Sequence, residues 1–240
     1  MRKIDVLNVK FDNITMTEAV DFALACIEQH QGTYVVTPNP EIVMEASVNE
    51  DLMKALSCAG LVLPDGIGII YGARILGTPL KEKVPGIDFI EALMSQLAEK
   101  NGSVFLFGAK PGVAYEAGVK LSEKYPGLVI CGTADGYFED DSGIIEEINR
   151  VKPDLLLVCL GFPKQEIWMY RNREHLDVGL MAGLGGSLDV FAGHVTRAPL
   201  AWQKMGLEWL YRLITQPSRI GRMMRLPLFL LAVIKKRVMK

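Results

Sequence analysis

Short apolar runs alternate with longer mixed stretches along most of the chain. The apolar runs are bounded by Gly, Pro, Asn or Asp and cover residues 33–37, 61–64, 103–107, 128–131, 154–160 and 178–182. Runs of this kind are typical of buried strands, and the stretches between them are predicted to be helices. The alternation predicts an α/β fold of the Rossmann-like type, in which a mostly parallel sheet is flanked by helices and joined by right-handed crossovers.

The N-terminal segment carries clear start signals for secondary structure. Residues 4–9 predict an opening strand, and the spacing of Thr15 and Glu18 predicts a capping box at the start of a helix that runs to about His30. Asp88 is predicted to cap a later helix, because a carboxylate can accept hydrogen bonds from the first free backbone N–H groups.

Polar residues directly follow three of the predicted strands. Thr37 and Asn39 follow the first apolar run, Asp65 follows the second, and Gln165 and Glu166 follow the run that ends at residue 160. Open α/β sheets bind ligands at the carboxyl ends of their strands. Three such ends opening on one crevice could orient a polyhydroxylated substrate and take one proton from it. The alternative for Asp65 is that it only caps the helix that follows.

Glycine-rich turns after other strands offer weaker signals. Gly108 begins a turn that could direct backbone N–H groups at a diphosphate, or could be only a tight connection to a helix. Asp135 and Tyr137 could hold a nucleobase, or could form an ordinary loop. Gly186 lies in a run whose glycines permit close approach to phosphate or sugar. A hydrolase triad is not predicted, because Ser187 does not lie in a G-x-S-x-G elbow.

Composition places the chain among globular proteins. It has 240 residues, of which 50% are apolar and 22% charged, enough for one large α/β domain or two small ones. The four cysteines lie far apart in apolar runs, which favours buried thiols over disulfides or a metal site. No apolar segment of signal-peptide length opens the chain, which favours a cytoplasmic location.

The last part of the chain differs in character from the rest. Apolar residues at helical spacing between 202 and 214 predict an amphipathic helical segment. We therefore divide the chain into an α/β body, residues 1–198, and a C-terminal helical appendage, residues 199–240. Eight of the 26 basic residues but none of the 28 acidic residues lie in residues 211–240, so the segment before them carries about −10.

Arginines in this appendage are interleaved with apolar residues. Arg212, Arg219 and Arg222 precede the nine-residue apolar run 226–234. A spanning helix needs roughly 20 apolar residues, so this run cannot cross a bilayer alone. Basic and apolar residues together favour binding to an anionic membrane surface over a merely solvated charged face. The forked donors of arginine also suit phosphate.

Several motifs occur together in an order that resembles a known family. They are Thr-Pro-Asn-Pro-Glu at 37–41, Pro-Asp-Gly at 64–66, Phe-Gly at 107–108, Gly-Phe-Pro-Lys-Gln-Glu at 161–166 and Gly-Leu-Glu-Trp-Leu-Tyr-Arg at 206–212. The chain resembles the WecG/TagA/CpsF glycosyltransferases over nearly its whole length, and most of all the members that make the linkage unit of wall teichoic acid. Those members are inverting, metal-independent enzymes. They transfer N-acetylmannosamine from UDP to undecaprenyl-diphosphate-linked N-acetylglucosamine in a β-1,4 linkage.

The resemblance implies roles for the polar residues. Asp65 matches the general base, and Thr37 and Gln165 match residues that hold the reacting sugars in the catalytic centre. The residues expected to bind substrate are Asn39, Gly66, Lys83, Gly108, Asp135, Glu166, Gly186, Arg212, Arg219 and Arg222. The arginines would clamp the diphosphate, so neither a metal nor another cofactor is expected. Lys83 stands where many members have an arginine, and a lysine lacks the forked donors.

The resemblance also implies partners and a location. The expected partners are UDP-N-acetylmannosamine, the undecaprenyl-diphosphate-linked acceptor and an anionic membrane surface, with self-association in solution and no nucleic acid. The chain would be peripheral on the inner face of the cell membrane. A related UDP-sugar transferase of another cell-surface polysaccharide pathway remains an alternative. An oxidoreductase would need a G-x-G-x-x-G after the first strand, which is absent. A non-catalytic membrane scaffold would leave the polar strand ends unexplained.

Overall fold

A six-stranded parallel sheet forms the centre of the molecule. The computed structural model describes residues 1–215, 221 and 225–239, apart from the side chains of Lys204 and Arg212. The strands are β1 (Lys3–Val6), β2 (Val9–Asp12), β3 (Thr33–Val36), β4 (Leu61–Val62), β5 (Ser103–Gly108), β6 (Val129–Ala134), β7 (Leu155–Cys159) and β8 (Leu180–Gly183). The central sheet has the order β4-β3-β8-β7-β5-β6, and each neighbouring pair is parallel. The predicted α/β fold is thus confirmed.

Helices cover both faces of this sheet. They are α1 (Met16–Glu28), α2 (Pro40–Ala46), α3 (Glu50–Ser57), α4 (Ile67–Ile75), α5 (Gly86–Glu99), α6 (Val113–Lys124), α7 (Ser142–Val151), α8 (Lys164–Asn172), α9 (Ser187–Phe191), α10 (Leu200–Lys204), α11 (Glu208–Thr215) and α12 (Arg225–Val238). Alternate residues of the strands join two cores, as the pleat requires. Leu106 and Leu157 contribute to the core beneath α1, α5 and α6, whereas Phe105 and Leu156 contribute to the core on the other face.

The predicted capping box is confirmed at α1. The Glu18 backbone N–H donates to Thr15 Oγ1 over 3.3 Å, and the Thr15 backbone N–H donates to Glu18 Oε2 over 2.7 Å. The predicted cap at Asp88 is wrong, because α5 begins earlier and its N-cap residue is Pro85. Asp88 lies in the first turn of α5 and accepts a hydrogen bond from Arg197 instead.

The prediction of one opening strand over residues 4–9 is wrong, because β1 ends at Val6. The chain then turns back as β2, and the two strands form an antiparallel hairpin. Leu7 and Asn8 form its two-residue turn, with φ of +53° and +74°. The hairpin covers the outer edge of β4, where the Val62 backbone N–H donates to Asp12 Oδ2 over 2.9 Å. Lys3 Nζ donates to the same oxygen over 3.1 Å. An otherwise unpaired sheet edge is therefore protected by a charged side chain.

The C-terminal helix α12 packs against α2 and α4. Phe229 and Val233 are fully buried, and a Cβ atom on Gly72 would lie 2.9 Å from Phe229 Cζ, so a glycine is needed there. An ion pair ties each end of α12 to the rest of the chain: Arg225 Nη1 lies 2.5 Å from Glu45 Oε2, and Lys236 Nζ lies 2.8 Å from Asp5 Oδ1. The division after residue 198 stays a prediction. In the described part of the chain, no helix has the length and apolar content to cross a membrane.

Candidate active site

A cavity of about 160 Å³ opens at the carboxyl edge of the sheet. Thr37 follows β3, Asp65 follows β4 and Gly186 follows β8, and all three line the cavity. The start of α5, Leu184, helix α9, residues 195–197 and helix α11 supply the remaining walls. The structure therefore brings together three of the predicted site residues that lie far apart in sequence.

Asp65 lies half-buried in the turn between β4 and α4. The N-cap residue of α4 is Gly66, so Asp65 precedes the cap position. Gly66 has a φ of +88°, a conformation that glycine adopts without strain. A Cβ atom on Gly66 would lie 3.7 Å from Pro40 Cδ and 3.9 Å from Asn39 Cβ. The turn that carries Asp65 thus lies against the turn that carries Asn39.

Thr37 and Asn39 are held by contacts with the protein itself. The buried Thr37 Oγ1 donates to the Gly183 carbonyl oxygen over 3.4 Å, which links the ends of β3 and β8. Asn39 is the N-cap of α2, and its Oδ1 accepts a hydrogen bond from the Ile42 backbone N–H over 3.1 Å. Asn39 remains partly exposed beside the turn of Asp65. Its role in sugar binding stays a prediction.

Gln165 and Glu166 are buried in the first turn of α8, with 3% and 1% of their surface exposed. Gln165 Oε1 accepts a hydrogen bond from the Gly185 backbone N–H over 2.8 Å, and Gln165 Nε2 donates to Glu166 Oε1 over 2.9 Å. Neither side chain is among the described residues that line the cavity. Gln165 therefore fixes the loop before Gly186, and Glu166 fixes the orientation of the Gln165 amide.

Glu166 carries an unsatisfied buried oxygen. Its Oε2 makes no hydrogen bond with any described group. Burial raises the pKa of Glu166 to about 7, although the hydrogen bond from Gln165 acts in the opposite direction. A carboxyl in this position holds its proton over part of the neutral range.

Three further predicted residues lie outside the described lining of the cavity. Gly108 has a φ of +127°, and a Cβ atom there would lie 2.3 Å from the Cys159 carbonyl oxygen, so close packing of β5 on β7 explains this glycine. Asp135 Oδ1 accepts a hydrogen bond from the Tyr137 backbone N–H over 2.8 Å, while 69% of Tyr137 is exposed. Lys83 is half-buried in the loop before α5.

The predicted arginines fall at the limit of the description. Arg212 belongs to α11, but its side chain lies outside the described atoms. Arg219 and Arg222 lie outside the described residues altogether. Their contact with a diphosphate stays a prediction.

Sequence reasoning missed three charged residues of the cavity wall, Asp189, Arg197 and Glu208. Asp189 ends the glycine-rich run that was noted for its glycines alone, and Glu208 lies inside one of the family motifs. Arg197 donates from Nη1 to Asp88, and its Nε lies 3.9 Å from Glu208 Oε1. Burial lowers the pKa of Arg197, but the hydrogen bond with Asp88 and the charges of Asp88, Glu208 and Glu91 outweigh it and raise the pKa.

Among residues 1–215, 221 and 225–239, no three His, Cys, Asp or Glu side chains are grouped so that they could hold a metal ion.

Comparison with known proteins identifies relatives along the whole chain. A family model described as "Glycosyl transferase WecG/TagA/CpsF family" matches residues 4–240. A protein of Bacillus spizizenii is 38% identical over 209 residues, covering 87% of this chain and 81% of the relative. One of Bacillus subtilis is 35% identical over 98% of this chain and 93% of the relative, and one of Staphylococcus aureus is 34% identical over 97% and 92%. All three are named N-acetylglucosaminyldiphosphoundecaprenol N-acetyl-beta-D-mannosaminyltransferase.

Proposed function

The chain belongs to the WecG/TagA/CpsF family of glycosyltransferases, and from this premise we propose that it transfers N-acetylmannosamine to a lipid-linked N-acetylglucosamine. The donor is UDP-N-acetylmannosamine, and the acceptor is N-acetylglucosaminyl-diphospho-undecaprenol. The product belongs to the linkage unit of wall teichoic acid. The observation that supports this function best is the convergence of Asp65 and Thr37 on one cavity at the carboxyl edge of a parallel sheet.

Asp65 is the general base in the proposed reaction. Its carboxylate takes the proton of the acceptor 4-hydroxyl while that oxygen attacks the anomeric carbon from the face opposite UDP. The new carbon–oxygen bond forms as the bond between the anomeric carbon and the β-phosphate oxygen breaks, and UDP leaves with the electron pair. The configuration is inverted. A positioned base contributes about 10²- to 10⁴-fold to such a rate.

The donor lies along the carboxyl edge of the sheet in this proposal. Its sugar lies near Thr37 and Asn39, its diphosphate near Gly186, and its base near Asp135, where the ring of Tyr137 is exposed for stacking. Four strand spacings of about 4.8 Å separate β3 from β6, a span of about 19 Å. An extended nucleotide sugar can therefore bind with its reacting carbon at one end of this span and its nucleobase at the other.

Arginine side chains replace a metal in the proposed mechanism. Guanidinium groups stabilise the charge that develops on the leaving diphosphate, and Arg212, Arg219 and Arg222 are the candidates. Treatment with EDTA should leave the rate unchanged. Loss of turnover in EDTA that Mg²⁺ or Mn²⁺ restores would contradict this part of the proposal.

The outward face of α12 is the proposed contact with an anionic membrane. Phe229 and Val233 face the body, whereas Leu228, Leu231 and Ile234 are 53%, 63% and 47% exposed. Exposed Lys235 and Arg237 follow them on the same helix. An apolar face next to cations is suited to the interface of an anionic bilayer. Because α12 is already packed on the body, membrane binding would leave that packing intact.

Turnover with defined substrates tests the function. The full-length chain should transfer N-acetylmannosamine from its UDP donor to a short-chain diphosphate-linked N-acetylglucosamine acceptor and release one UDP for each disaccharide. UDP-N-acetylglucosamine serves as the matched donor control, because it differs only in the configuration at carbon 2. Equal transfer from both donors would favour a related transferase of another polysaccharide pathway. Absence of transfer in the presence of anionic vesicles would refute the function.

A further inference from the structure

Arg197 bridges two elements at the rim of the cavity. Its Nη1 donates to Asp88 in the first turn of α5, and its Nε faces Glu208 at the start of α11. The Arg197 and Glu208 side chains are only 19% and 20% exposed, and both residues line the cavity. One edge of the guanidinium is therefore held by the body, and the other faces the helix that carries Arg212.

The Nε edge of this guanidinium lacks an acceptor. Arg197 Nε is buried and makes no hydrogen bond with any described group. The 3.9 Å separation from Glu208 Oε1 is too long for a hydrogen bond. A buried donor left in this state costs free energy, so Arg197 Nε gains from any ligand that supplies an acceptor.

Among the charged side chains described in the cavity wall, only Arg197 attracts an anionic ligand. Asp65, Asp189 and Glu208 line the cavity, and Arg197 is the one cation among its described lining residues. A diphosphate that entered would be repelled by the carboxylates unless a guanidinium faced it. An arginine edge with two parallel N–H donors fits a phosphate oxygen pair well.

We infer that Arg197 binds a substrate diphosphate through its Nε edge, and that the diphosphate replaces Glu208 as the partner of this edge. Asp88 is a positioning residue, because it holds the opposite edge and thereby aims the guanidinium into the cavity. The inference rests on the proposed function, since both the donor and the lipid acceptor carry a diphosphate.

Substitutions of Arg197 and Glu208 should have opposite effects on diphosphate binding. This result would distinguish the exchange of partners at Arg197 from a structural ion pair. Arg197→Lys keeps the charge but loses the fork, so diphosphate binding should weaken by about tenfold, in line with the loss of one charge-assisted hydrogen bond. Glu208→Gln removes a carboxylate that competes for Arg197 and repels the ligand. It should strengthen binding by about threefold or more. In a structural ion pair, both variants would weaken binding or leave it unchanged.

The experiment measures UDP binding by calorimetry and the KM of each substrate by turnover, using the full-length chain. Arg171→Lys is the matched control, because Arg171 pairs with Asp51 at the exposed surface and is not among the described cavity residues. Melting temperatures of all variants should stay within a few degrees of the wild type. Weaker UDP binding in Arg197→Lys assigns the residue to the donor diphosphate, whereas a raised acceptor KM alone assigns it to the acceptor.

Two results would overturn the inference while leaving the function intact. The first is unchanged UDP affinity and unchanged KM values in Arg197→Lys. The second is weaker binding in Glu208→Gln, which would make the contact a structural bridge. A wild-type chain that neither binds UDP nor transfers sugar would refute both the inference and the proposed function.

Discussion

The two halves of the carboxyl edge are built differently although the same sheet forms both. At the ends of β3, β4 and β8 the chain supplies Thr37, Asp65 and Gly186 to a cavity that α5 and α11 enclose. At the ends of β5 and β6 it supplies Gly108, whose conformation serves packing, and Asp135, which stabilises a turn. In the first half the polar side chains line a cavity, whereas in the second half Asp135 lies in a turn beside the exposed ring of Tyr137.

We expect this difference to separate chemistry from binding. A general base is effective where its geometry is fixed and solvent is partly excluded. Asp65 is half-buried in a turn that lies against the turn of Asn39. An exposed aromatic ring and a turn carboxylate can hold a nucleobase without taking part in bond making. We therefore expect changes in the enclosed half to lower kcat and changes in the open half to raise the KM of the donor.

Replacing the proposed general base, Asp65, should have the largest effect on turnover. Asp65→Asn keeps the shape of the side chain but cannot accept the proton, so kcat should fall by about 10²- to 10⁴-fold while UDP binding survives. Steady-state kinetics and calorimetry measure the two quantities, and Asp21→Asn, on the exposed face of α1, is the control. Near-normal turnover of Asp65→Asn would remove the proposed distinction between the halves.

A substitution at Gly108 tests whether the glycine in this turn of the open half serves packing and not phosphate binding. Gly108→Ala places a Cβ atom against the Cys159 carbonyl at a φ of +127°, so the free energy of unfolding should fall by about 2–5 kcal/mol. The folded fraction should keep its UDP affinity. Gly112→Ala is a matched control, because its φ is +87° but nothing lies within 4 Å of the added Cβ. A stable Gly108→Ala variant with weakened UDP binding would instead make this turn a phosphate site.

Glu166, which follows β7 and contacts Gln165 beside the enclosed half, gives a pH-dependent prediction. Its pKa is about 7 in the folded chain against an ordinary value of 4.5, so between these pH values the folded state keeps a proton that the unfolded state has lost. Stability from this group is therefore lost as pH rises through that window, by up to about 3 kcal/mol. Glu166→Gln should match the wild type near pH 4.5 and melt higher at pH 8. Calorimetric melting at both pH values checks this, and equal melting temperatures at pH 8 would contradict the burial effect.

The smallest effect is expected at Asp135. Asp135→Ala removes one turn hydrogen bond and should cost about 1 kcal/mol of stability. If the nucleobase of the donor binds there, the KM of the donor should rise by about tenfold with kcat unchanged. Tyr137→Ala should act in the same direction, because it removes the exposed ring. A fall in kcat without a change in KM would place chemistry in the open half and reverse the comparison.

Local signals in the sequence predicted much of the frame. Apolar runs between turn residues located the strands of the central sheet, and the spacing of Thr15 and Glu18 located the start of α1. The hairpin was missed because Leu7 adopts a positive φ that leucine rarely adopts, so the segment has no recognisable turn signal. Gly206 likewise divides the predicted 202–214 segment into α10 and α11 at a φ of +72°.

The site was predicted less completely, because the role of each side chain depends on contacts with residues that are distant in sequence. Thr37 and Asp65 follow strands, so the topology alone brings them to one edge. The role of Gln165 in holding the sugars stays a prediction. Its hydrogen bonds with Gly185 and Glu166 could not be predicted, because spacing cannot reveal which amide is turned inward. Arg197 donates to Asp88 on α5, which lies 109 residues away in sequence, so no local motif could indicate its place in the cavity.

The docking of α12 has a consequence for how the chain reaches its fold during synthesis. Phe229 and Val233 complete the core that also contains Val6 and Phe11 of the N-terminal hairpin. Lys236 contacts Asp5 and Asn8 of that hairpin. Helix α12 emerges from the ribosome after every other described element. The N-terminal hairpin therefore lacks this packing partner until α12 has been synthesised. Nascent chains that end before residue 225 should therefore remain open on this face and depend on chaperones until translation passes that point.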